Sequence, residues 1–213
     1  MERKVQSKKR YLLAFLIGTF IFINVFLFTY SISYFEYRRI SVEQQQLSYQ
    51  VFKDKLYYSL FNQSVCSSET FKKISGDLRS QASIIDALET RLGKNDEKVL
   101  FMKKFYSLVE LEHFEFVKEV NANCAFQVPT IMFFYSNSDS DIKRSENLGS
   151  LLGSVYSRNP DLVIYSFDLY LADELIEGLK SKYNITAPLT IIINEKTKLV
   201  DPKNIDEIEN YIK

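Results

Sequence analysis

Cys66, Cys124 and His113 are the strongest nucleophiles and bases in this chain, which holds two cysteines and one histidine. A redox CxxC pair needs its thiols three positions apart, with two residues between: a helix N-terminus depresses the first, and the second resolves the mixed disulfide. Cys66 and Cys124 are far apart, so that pair is absent. His113 stands between Glu112 and Phe114 in a helical pattern without a sequence partner, as a surface or packed histidine does. No HExxH, GxSxG or phosphate-cradling glycine loop occurs. No catalytic residue and no cofactor is therefore assigned. Asn137 to Asp141 supply hard oxygens of the kind calcium takes, but not the spaced Asp, Gly and Glu of an EF-hand loop. Asp139 and Asp141 read instead as carboxylates favoured at a helix start, and no metal is expected. Glu110, Glu112 and Glu115 read as a solvated face. Twenty-seven basic residues balance twenty-seven acidic ones, which argues against a nucleic-acid partner.

The elements that must position these residues begin with an apolar run. From Leu12 to Tyr30 the chain carries no charge. A helix needs ~20 apolar residues to cross a bilayer core. Tyr11, Tyr30 and Tyr34 suit the interfacial aromatic belts. Arg3, Lys4, Lys8, Lys9 and Arg10 precede the run, whereas Arg38 and Arg39 follow it, so the positive-inside bias puts the N-terminus in the cytoplasm. The expected organisation is a cytoplasmic basic tail (1–10), a transmembrane signal-anchor helix in lipid (11–35), a helical stalk and hairpin (36–124), and a C-terminal domain (125–213). A cleaved signal peptide, with Ser31-Ile32-Ser33 as its cleavage site, is the competing expectation, although such apolar regions are usually ~7–15 residues.

Within 36–124 the apolar residues recur at helical spacing. Val42, Leu47, Val51 and Leu56 mark a first helix, ending near Phe61. Ser67 or Ser68 caps a second, running to Leu92, with Gly93 at a left-handed C-cap. Asn95 or Asp96 caps a third, running to about Val120. The last two form an antiparallel hairpin, which brings Cys66 and Cys124 to one pole. A structural bridge there would close a long loop and contribute about 4 kcal/mol in the chain-entropy model; the alternative is two unpaired thiols. Asn62 and Asn184 each begin an N-x-Ser/Thr glycosylation acceptor pattern.

After Cys124 the texture changes. Buried strands are expected at Val128 to Tyr135, Leu162 to Phe167 and Pro188 to Asn194, and a short fourth at Thr197 to Val200, with helices between the first three and after the last. The order is β-α-β-α-β-β-α, an α/β fold with a mixed sheet covered on both faces. Both β-α-β steps are expected to be parallel, right-handed crossovers, and the last two strands to form a hairpin.

Two phrases in this order, Thr130 to Ile142 and Tyr183 to Asn194, resemble the thioredoxin-like superfamily. The resemblance covers about Val128 to Lys213. It places Asp139 and Ile142 at the two cysteine positions of the family motif, and Pro188 as the candidate cis-proline. It implies a peptide groove lined by Tyr135, Ser136, Asn137, Asp139, Ala187 and Pro188. With the redox pair gone, the expectation is a non-catalytic module that binds or scaffolds an unidentified protein outside the cytoplasm. The alternative is a thiol–disulfide oxidoreductase or isomerase-related protein using Cys66 and Cys124.

Overall fold

The computed structural model describes residues 8–60 and 66–212, with side chains described for only part of the first helix and of the start of the second. Asn62 and the tail residues Arg3 and Lys4 lie outside them. The chain divides into two compact units, Met1–Gln46 and Leu47–Lys213.

The described residues of the first unit, 8–46, are helical. Helix α1 (Lys8–Leu60) runs through the apolar segment without a break. Arg10–Ile32 is long and apolar enough to cross a membrane, with mean hydropathy 2.4 and none of it buried within the structure. Three of its polar side chains bond to their own helix: Asn24 Nδ2 donates to Phe20 O, Thr29 Oγ1 to Val25 O and Ser31 Oγ to Leu27 O. That local bonding lets a hydroxyl or amide sit in an apolar environment. The side chains of the expected apolar stripe from Leu47 onward lie outside the described residues.

In the second unit α2 (Ser68–Leu92) and α3 (Glu97–Asn123) form the hairpin. Phe71, Ile74, Leu78, Gln81, Ile85 and Leu88 make the buried stripe of α2. Gly93, at φ 94°, closes α2 with its N–H on Glu89 O. Asp96 caps α3 by accepting from Lys98 N. At the open pole Cys66 and Cys124 are bonded, with Cα atoms 5.3 Å apart.

Strands β1 (Thr130–Tyr135), β2 (Val163–Asp168), β3 (Thr190–Ile193) and β4 (Thr197–Val200) make a four-stranded mixed sheet of order β2-β1-β3-β4. Helices α4 (Ile142–Arg158), α5 (Glu174–Tyr183) and α6 (Ile205–Glu209) complete the α/β order expected from sequence. One expectation is corrected. β2 runs parallel to β1, but β3 runs antiparallel to it, so only the first crossover joins parallel strands. The hairpin between β3 and β4 turns at Asn194 and Glu195, at φ 51° and 58°, as the right-handed twist of the flanking strands favours.

Side chains alternate across the sheet. Ile131, Phe133, Ile191 and Ile193 pack with Leu148, Leu152 and Val155 of α4 and Ile208 of α6. On the other face Phe134 meets Phe167, and Tyr165 meets Phe114 of α3, edge to face. From Leu47 onward the hairpin and the sheet lie in one compact unit, with α3 packed on β2.

Candidate functional site

The loop from β1 to α4 occupies the place where a redox motif would open the helix. Ser136 is buried; its N–H donates to Ser145 Oγ, which donates back to Ser136 O. Ser138 Oγ donates to Asp141 Oδ2 at 2.9 Å. Asp141 holds the N-cap position, yet its carboxylate takes this hydroxyl and no backbone amide, so side-chain capping by Asp141 is corrected. Asp139 is exposed and Ile142 half-buried. Ser136, Ser138, Ser140 and Asp141 therefore bond to one another, Asp141 also pairs with Arg144 of α4, and no thiol stands near. The cysteine bridge precedes β1, whereas this loop follows it, which puts the two at opposite ends of the strand.

The candidate cis-proline is also corrected: among the described residues no peptide bond is cis, so Ala187-Pro188 is trans. Leu189 makes the turn instead, at φ 62°. Its N–H donates to Phe134 O at 2.8 Å and its carbonyl accepts from Asp201 N at 2.7 Å. These bonds tie Leu189 to strands on either side without a cis bond. Thr190 Oγ1 donates to Ala187 O. Asn184, the second acceptor asparagine, is exposed at the left-handed C-cap of α5.

A second polar constellation lies between α3 and the outer edge of β2. Lys103, Glu110 and His113 recur along one face of α3, and all are buried. Glu110 was expected in solvent; it is 1 % exposed, and its Oε1 accepts from Ser166 N at 2.7 Å. In the parallel ladder the odd amides of β2 turn toward β1, as Val163 N does to Pro129 O, leaving the even ones facing outward. Glu110 thus satisfies an edge amide that no strand reaches. Lys103 Nζ pairs with Glu89 of α2 and, at 3.4 Å, with Asp168 at the end of β2. Asp168 Oδ2 also accepts from Asn137 Nδ2. His113 bonds through Nδ1 to Tyr165 Oη at 2.8 Å and through Nε2 to Ser75 Oγ at 3.1 Å.

Burial governs how these groups ionise. It pushes the His113 imidazole down to about 4, so the ring is neutral near pH 7. It holds the Glu110 carboxyl well above its ordinary range, against the opposing pull of the Ser166 amide. Burial first, and nearby carboxylates second, raise the Tyr106 and Tyr135 phenols. The seam thus joins a neutral imidazole and a raised carboxyl, both hydrogen-bonded, to a buried ion pair, and no acid stands beside a base in it.

Two cavities open along it. One of about 670 Å³ lies between α2, α4 and the sheet, and Glu110 and Tyr106 line it. One of about 310 Å³ is lined by Lys103, Tyr135, Asn137 and Asp168. Tyr135 and Asn137 of the expected groove therefore face the hairpin, and Ala187 and Pro188 line neither cavity. The sequence signal for Glu110 was its phase: it sits seven residues after Lys103 and three before His113, inside the apolar stripe of α3. Among the described residues no cluster of three His, Cys, Asp or Glu is arranged to hold a metal ion. Compared with protein-family models, curated proteins and solved structures, the chain finds no match in any of the three.

Proposed function

We propose that this protein is a membrane-anchored, thioredoxin-like module that binds a protein partner outside the cytoplasm and performs no thiol chemistry. The observation that carries this reading is the position of the sulfur. Both thiols are joined in a bridge before β1, while the helix that follows β1 begins beside Asp139 and Ile142. A helix N-terminus can activate a thiol only when one stands there. In support of the fold, the parallel β1–β2 pair, the antiparallel β3 and β4, and a helix entering after β1 are what a thioredoxin-like core requires. In support of the anchor, Phe15, Phe20, Phe22, Phe26 and Phe28 are all exposed on Arg10–Ile32, and lipid is the solvent that suits them.

The competing redox reading has one point in its favour: Cys66 is exposed, so a reductant can reach the bridge. Two assays on the full-length protein separate the readings. Photo-reactive side chains are placed at Asp139 and Thr186, both exposed near the loop and β3, and at exposed Lys196 in the far hairpin as a control. A cross-linked partner of one mass from the first two sites, and not from the third, is expected. Equal labelling from all three would remove the binding face. Catalytic turnover in a disulfide-reduction assay, abolished by Cys66→Ser, would establish the redox reading instead.

A further inference from the structure

The larger cavity holds an unusual pairing of surfaces. Its walls are largely apolar: Phe71, Leu78 and Ala82 from α2, Phe133 from β1, Leu152 from α4 and Leu162 before β2. One buried polar group stands among them. Glu110 Oε1 is committed to the Ser166 amide, but Oε2 is buried without a hydrogen-bond partner. A buried polar atom left unpaired costs about 1–3 kcal/mol, so the site gains by receiving one. Its volume is that of a small-molecule pocket, for which ~300–1,000 Å³ is usual. The charged residues on the lining, Lys72, Arg79 and Asp161, are exposed at its rim, and Arg79 is drawn over the Tyr156 ring at 5.0 Å.

We propose that this cavity binds an uncharged, largely apolar molecule carrying one hydrogen-bond-accepting oxygen, a carbonyl or hydroxyl, which Glu110 holds through Oε2. The choice of a neutral ligand follows from the site. The interior offers a carboxyl with no cation beside it, and burial raises it well above its ordinary range, which favours the donor form over the charged one. An ammonium ion would have to be desolvated among apolar walls and would find a carboxyl whose charged form burial disfavours. A carboxylate would find no buried cation on the cavity wall, since Lys103 lines the neighbouring cavity and is already paired. This site is separate from the loop and β3 face proposed above, and does not depend on it.

The test uses the full-length protein in lipid nanodiscs and a neutral ketone photoprobe, an alkyl benzophenone, with adducts mapped by mass spectrometry. Saturable labelling of α2 and α4 residues on the cavity wall is expected, with competition by a long-chain aliphatic ketone. Gly149 lines the cavity and a Cβ there meets nothing within 4 Å, so Gly149→Leu has room at its base to place a side chain in the ligand's space; it should reduce this labelling by about tenfold or more, which is about 1.4 kcal/mol. Glu110→Gln keeps both a donor and an acceptor and should change affinity less than about threefold, whereas Glu110→Leu should lose about tenfold. Labelling of wild type no higher than of Gly149→Leu would overturn the site. Equal loss in Glu110→Gln and Glu110→Leu, or tighter competition by the matching alkylamine, would overturn the neutral ligand.

Discussion

Glu110 of α3 accepts the backbone N–H of Ser166 at 2.7 Å, and so finishes the outer edge of β2 from a residue fifty-six positions away. An edge amide left bare is both a desolvation cost and a template for wrong pairing. Glu110→Ala should therefore cost about 1–3 kcal/mol, and Glu110→Gln, which retains an acceptor, less than about 1. Urea unfolding of the full-length chain in mild detergent, followed by tyrosine fluorescence, measures both. Equal costs would show that the edge amide finds another partner.

His113 and Glu110 give the stability opposite slopes with pH. The folded imidazole is depressed from 6.5 to about 4. Its contribution is full above pH 6.5 and is lost as pH falls toward 4, by up to about 3 kcal/mol. The Glu110 carboxyl is raised, so its contribution is full below its ordinary 4.5 and is lost as pH rises above that value. Urea midpoints should show the acid-side slope vanish in His113→Asn, and the decline above pH 4.5 vanish in Glu110→Gln. A slope unchanged in either variant assigns it to other groups.

Lys103 is nearly enclosed and faces Glu89 and Asp168. Lys103→Met keeps the volume and leaves two acidic side chains without their cation. The cost should be about 3–5 kcal/mol, the range for breaking a buried pair. Adding Glu89→Gln and Asp168→Asn should recover a good part of it, since no uncompensated charge then stays inside. Thermal melts of the single and triple variants decide; no recovery would make the loss one of packing.

Leu189 is fully buried yet sits at φ 62°. Leu189→Ala should cost about 2–5 kcal/mol through the cavity it leaves. Leu189→Gly removes still more apolar surface, but is at ease at positive φ, where a Cβ costs roughly 1–2 kcal/mol. Glycine should therefore match or exceed alanine in stability here, the reverse of their usual order inside a structured element. An alanine variant clearly more stable than the glycine one would show that this backbone carries no strain.

Periodicity made much of this architecture legible. The stripe from Phe71 to Leu88, the signals at Gly93 and Asp96, and the apolar runs of β1 to β3 each carry their local cause in the text of the chain. Strand direction does not: β2 and β3 are both buried runs, and nothing in their residues says which way β3 will point. The phase of Lys103 and Glu110 was there to read, but their partners were not, for a related reason. Charged side chains normally mark a helix's wet face, and their partners, Asp168 and the Ser166 amide, lie in a different element. A contact across the fold leaves no local trace. Pro188 misled in the opposite sense, because the residue that makes the turn is its neighbour Leu189.

The bond between Cys66 and Cys124 also decides how a pull would travel. Tension on α1 passes along the chain to Cys66, crosses sulfur to Cys124, and enters the sheet through β1. The whole hairpin of α2 and α3 then hangs as a side branch outside the line of force. A tug on α1 loads the central strand directly and leaves the helices that enclose both cavities slack; with the bridge reduced, the same tug would unwind those helices first.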